Sequence, residues 1–104
     1  MDMIGWKMNG TEYVGRLGSK EIVALEKTLG VGIYKVSEKL GMEFTKTALQ
    51  LAAMRGNRQL DSAKFENDFD AELDAQGLGA MSTVAMNLVT NSGALGKEAK
   101  EKKE

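Results

Sequence analysis

Histidine, cysteine and proline are all absent from the 104 residues. Without cysteine there is no disulfide, no thiolate metal site, no cysteine nucleophile and no redox pair. Without histidine the commonest general base and the commonest transition-metal ligand are missing, so catalysis would fall to carboxylates, Lys, Ser, Thr or Tyr. Both absences argue against an enzyme and against a bound cofactor. An excess of charge of either sign is missing too: 14 Lys and Arg stand against 15 Asp and Glu. An electrostatic nucleic-acid binder instead gathers a basic excess on one face. No apolar run approaches the roughly 20 residues that span a bilayer. Met1-Asp2-Met3 also lacks the basic and apolar stretches of a signal peptide. The expectation is a soluble cytoplasmic protein with neither nucleic acid nor membrane as partner. Aromatic residues are sparse at 6 %, but 42 % hydrophobic residues suffice for one small core.

With no proline to kink a helix, punctuation falls to the 12 glycines. The clearest local signal is Met8-Asn9-Gly10-Thr11. Asn-Gly accepts positive φ at both central positions of a type I′ turn and so predicts a hairpin from about Ile4 to Leu17. A two-residue turn fixes the register, setting Met8 opposite Thr11, Lys7 opposite Glu12 and Trp6 opposite Tyr13. Ile4, Trp6, Met8 and Tyr13 then share one face. A lone ribbon is marginal in water, so that face must lie on the helices that follow, and helix one or helix three should shield Trp6.

Ser19 reads as an N-cap for a first helix, Lys20 to Leu29, in which Ile22, Leu25, Glu26 and Leu29 repeat before Gly30. Ile33, Val36 and Leu40 make a second short amphipathic stretch closed by Gly41. A third helix, Phe44 to Arg55 with Gly56 as its stop, is apolar nearly all round, which places it centrally or under a partner. Asp61 caps a fourth helix striped by Phe65, Phe69 and Leu73 and stopped by Gly77. The fifth runs from about Ala80 to Asn91 on Met81, Val84, Ala85 and Leu88. The fold class is therefore mainly α: a small bundle of four to five short helices with an N-terminal β-hairpin, one domain over residues 1–96. Residues 97–104 mix four Lys with three Glu around a single Ala and are expected to be a disordered charged tail.

Motifs for chemistry are weak. The alternating acids from Asp68 to Asp74 fail the calcium-loop template, because Leu73 stands where the glycine belongs and Gly79 where the bidentate Glu belongs. They read better as a solvated helix face or a surface for a basic partner. Gly15-Arg16-Leu17-Gly18-Ser19 lacks the spacing of a P-loop and reads as a strand-to-helix turn. Arg55 and Arg58 flank a turn without a larger basic field. Seven Met in a chain of this size suit a surface that repacks against variable helices. Leu49, Met54, Met86 and Val89 lie off the main stripes of their helices and are the candidate partner-binding residues, some of them expected to form an exposed apolar groove.

The order of these signals resembles a known family. Asn9-Gly10-Thr11-Glu12-Tyr13, then Gly15-Arg16-Leu17-Gly18 leading into Leu25-Glu26-Lys27-Thr28-Leu29-Gly30, is similar to the tail assembly chaperones of long-tailed phages, most closely the type found in gene transfer agents. Ala53-Met54-Arg55-Gly56, Gly77-Leu78-Gly79 and Ser92-Gly93-Ala94-Leu95-Gly96 continue the pattern, so that it spans about Met8 to Gly96. The acidic fourth helix has no counterpart in it. The resemblance implies a non-catalytic, mostly helical protein of the host cytoplasm, without cofactor and absent from the mature virion. It would cover the helical tape-measure protein while tail-tube subunits polymerise, with those subunits as further partners and a weak homo-oligomer as its own state. It also implies a longer form made by ribosomal slippage, which runs at Gly96-Lys97 or Lys102-Lys103 could encode. The alternative is a small structural head-tail joining or tail-terminator subunit of the virion.

Overall fold

The computed structural model describes residues 3–96, so the charged tail at 97–104 lies outside the described residues. Strands β1 (Ile4–Met8) and β2 (Thr11–Gly15) form an antiparallel hairpin. It is followed by α1 (Ser19–Leu29), a 3₁₀ segment (Ile33–Lys39), α2 (Met42–Gly56), α3 (Ser62–Gln76) and α4 (Leu78–Asn91). The chain is thus mainly helical with an N-terminal hairpin, as the turn chemistry and apolar periodicity predict. Among the described residues no helix is long and apolar enough to cross a membrane.

The hairpin has the expected register, Trp6 opposite Tyr13, Lys7 opposite Glu12 and Met8 opposite Thr11. Asn9 and Gly10 take φ of 54° and 79°, as a primed turn requires. Its inner face is buried as expected, but β2 lies on α2 and β1 on α3, the acidic helix. An aromatic ladder joins hairpin to helix: Trp6 stacks on Tyr13 at 6.1 Å, Tyr13 meets Phe65 edge-on at 5.6 Å, and Phe65 stacks on Phe69. Trp6 is only 8 % exposed. Its fluorescence in the folded chain is expected to be blue-shifted from that of the unfolded chain in denaturant. An unshifted emission would show the ladder to be absent.

Helix α2 is the centre of the fold, packed against α4, β2 and α1. This explains its apolar character on more than one face: Phe44, Ala48, Leu49, Ala52 and Ala53 are all buried against neighbours on different sides. Strand β2 crosses α2 at unusually short range. A Cβ on Gly15 would stand 1.9 Å from the Ala52 carbonyl oxygen, and one on Gly56 2.1 Å from that of Val14. Gly15, at the start of the strand-to-helix turn read from the sequence, is the last residue of β2, and Gly56 is the last residue of α2. Both are required by close backbone approach.

The start of α1 departs from expectation. Its N-cap is Gly18, in extended geometry, and Ser19 is the first helical residue. The Glu21 carboxylate reaches back to accept the Gly18 N–H at 2.8 Å, one half of a capping box, so no side-chain oxygen is needed at the cap itself. Glu26, on the same helix, accepts the Ile33 N–H at 2.7 Å and ties the 3₁₀ segment to α1. Asp61 caps α3 as predicted, accepting from the Lys64 N–H at 3.1 Å.

Candidate functional site

The four candidate partner-binding residues do not share one exposed surface. Leu49 and Val89 are fully buried in the core, which corrects their assignment to a partner surface. The physical reason is that α2 and α4 pack on one another and on further elements, so their off-stripe faces are covered from within the chain. Met86 is half-buried against the same core. Met54 alone of the four is exposed, at 48 %.

Met54 lies in an open cleft of about 340 Å³ between α1 and α2, at the lower end of the size range of binding pockets. From α1 come Lys20, Glu21 and Ala24; from α2 and the turn after it come Leu51, Met54, Arg55 and Arg58. Leu51, Met54 and Arg55 stand at i, i+3 and i+4 on one edge of α2, and Arg58 is brought to the same cleft by the turn after the helix, beyond the extended Asn57. The spacing of those three helical residues was legible in the sequence. What it could not show is that Lys20 and Ala24 of α1 close the other side.

The cleft has a fixed wall. Arg55 donates to the Glu21 carboxylate at 2.9 Å, and that same oxygen accepts the Gly18 N–H. Glu21 is buried and held in place through that oxygen, and it neutralises Arg55. Lys20 and Arg58 make no ion pair among the described residues and are exposed. The cleft therefore combines apolar surface from Leu51, Met54 and Ala24 with two positive charges on its rim. Arg55 and Arg58, read from sequence as flanking a turn, sit on opposite sides of the helix terminus.

Two of the α3 acids hold the hairpin. Asp68 is only 3 % exposed and accepts three side-chain hydrogen bonds: from the Tyr13 hydroxyl at 2.6 Å, Lys64 Nζ at 2.9 Å and Asn9 Nδ2 at 3.1 Å. Glu72 accepts the Asn9 backbone N–H at 2.8 Å, and Lys64 also donates to Thr11 Oγ1. Glu66 pairs with Lys46 across to α2. The solvated-face reading is corrected at Asp68 and Glu72, which grip the hairpin turn, whereas Glu66, Asp70 and Asp74 are exposed. The Tyr13 hydroxyl holds the Asp68 carboxyl well below the usual carboxylate range, with Lys64 and Asn9 assisting against the cost of burial. Burial, and then Asp68 itself, pushes the Tyr13 phenol well above its ordinary value. No family model, curated protein or solved structure matches this chain.

Proposed function

We propose that this chain is a non-catalytic phage tail assembly chaperone that holds helical segments of the tape-measure protein in the α1–α2 cleft. It acts in the host cytoplasm while tail-tube subunits polymerise and is absent from the mature virion. The observation that carries the reading is Met54, a large apolar side chain left half-exposed beside Leu51 and Ala24 in a cleft bounded by two helices. An amphipathic helix laid against two others buries its apolar stripe in such a groove, and a flexible thioether tolerates successive different side chains. The sequence resemblance supplies the tape measure as the source of that helix.

Capture of purified tape-measure segments by the full chain tests the reading. Met54→Ser should weaken capture by about 1–2 kcal/mol. Its stability should change by no more than about 0.5 kcal/mol, as for other exposed positions. Capture that is absent, or unaltered in the variant, would overturn the cleft as the binding site. A stable large ring in gel filtration, with no tape-measure capture, would instead favour a head-tail joining or tail-terminator subunit.

A further inference from the structure

We infer that the α1–α2 cleft selects an amphipathic helix whose apolar stripe is bordered by Asp or Glu, with Lys20 and Arg58 as the selecting residues. The inference rests on the proposed helix-binding role of the cleft and adds the chemistry of its partner. Three cations and one carboxylate line the cleft, and the carboxylate is already shared between Arg55 and the Gly18 N–H. Any group entering the cleft therefore meets a rim with two cations unpaired among the described residues, beside a single carboxylate that is engaged with Arg55. A lysine-bordered helix would face like charge there, and an uncharged one would leave both rim cations with water alone.

The apolar content of the same cleft decides between kinds of anion. A small free anion would leave Leu51, Met54 and Ala24 exposed, whereas a helix with carboxylates beside its apolar stripe covers them and reaches the rim together. A second shallow surface, at Leu40 and Met42, is bordered by Glu38, Lys39 and Glu43. Its rim carries both signs, so it offers no comparable selection. Among the exposed positions of α3, Asp70 and Asp74 make no ion pair among the described residues. A second copy of the chain is therefore the competing occupant, which the experiment separates.

Three synthetic helical peptides sharing one Leu and Ala stripe, bordered by Glu, by Gln or by Lys, are titrated into the full-length chain and followed by its amide resonances. The Glu peptide should move the signals of Lys20, Met54 and Arg58 and bind about tenfold more tightly than the Gln peptide at low salt, with the Lys peptide weakest. That preference should collapse at 1 M salt, where the screening length is about 3 Å. Lys20→Glu with Arg58→Glu should reverse the order of the Glu and Lys peptides, while Met54→Ser should weaken all three alike. Equal binding of the Glu and Gln peptides, still weakened by Met54→Ser, would overturn the selectivity and leave the helix-binding role standing. Signals that move only elsewhere, or no binding by any peptide, would overturn the inference at this site. Concentration-dependent shifts at Lys20 and Arg58 without peptide would overturn it in favour of self-association.

Discussion

Alanine at Gly56 is expected to destabilise the chain by about 3 kcal/mol or more, and alanine at Gly15 by at least as much. The sign is the opposite of what helix propensity implies, since replacing Gly by Ala within a helix ordinarily gains about 1 kcal/mol. At Gly56 the added methyl would stand 2.1 Å from the Val14 carbonyl oxygen and 3.1 Å from Gly15 Cα. At Gly15 it would stand 1.9 Å from the Ala52 carbonyl oxygen. These obstacles are backbone atoms of the strand and of the central helix, so no rotamer change relieves them. The strand must lift off α2, opening the packing that buries Tyr13 and its neighbours. Gly79→Ala is the matched control: Gly79 lies in α4 with open space around its missing Cβ. It should gain up to about 1 kcal/mol. Thermal or urea unfolding followed by circular dichroism measures all three. A Gly56→Ala variant as stable as the parent would show that β2 and α2 are not in contact.

Replacing Asp68 by Ala should cost about 2–3 kcal/mol, because it leaves the buried Tyr13 hydroxyl and the Asn9 amide without their acceptor. The Lys64 pair adds less, since the lysine is half exposed and well screened. The same network sets two limits on pH. In the folded chain the Asp68 carboxyl is held far below its ordinary value, chiefly by Tyr13. As pH falls, the unfolded chain therefore takes up that proton first. The contribution is whole above the unfolded value of about 3.9 and declines as pH drops through and below it. Tyr13 works at the other end, its phenol pushed up by burial and by Asp68. Its contribution is whole below about pH 10 and is lost as pH rises beyond that, because the unfolded phenol ionises first. Urea midpoints of the parent and Asp68→Asn, measured from pH 7 down to pH 3, test the acid limb. The parent should lose stability more steeply. Parallel profiles would show that Asp68 does not carry the acid response.

Local chemistry was enough to determine much of this protein. Asn9-Gly10 fixed the hairpin and its register, because a two-residue turn leaves one pairing. Gly30 and Gly77 marked helix ends, both at positive φ, and Asp61 marked a helix start. The apolar period placed Phe65, Phe69, Met81 and Leu88 in the core. None of these depends on what lies across the fold.

Tertiary structure decided the rest, because each remaining property belongs to a pair of elements distant in sequence. Leu49 and Val89 looked like spare apolar surface until α2 was found enclosed on several sides. Asp68 looked like one more solvated acid until Tyr13, 55 residues away, brought a hydroxyl to it. Gly15 and Gly56 looked like turn residues, and only the crossing of strand on helix gives them a steric role. The cleft itself follows from α1 lying beside α2, which sets Lys20 and Ala24 against Leu51, Met54 and Arg58. A sequence pattern records which face of an element is apolar, but what covers that face depends on where the other elements pack.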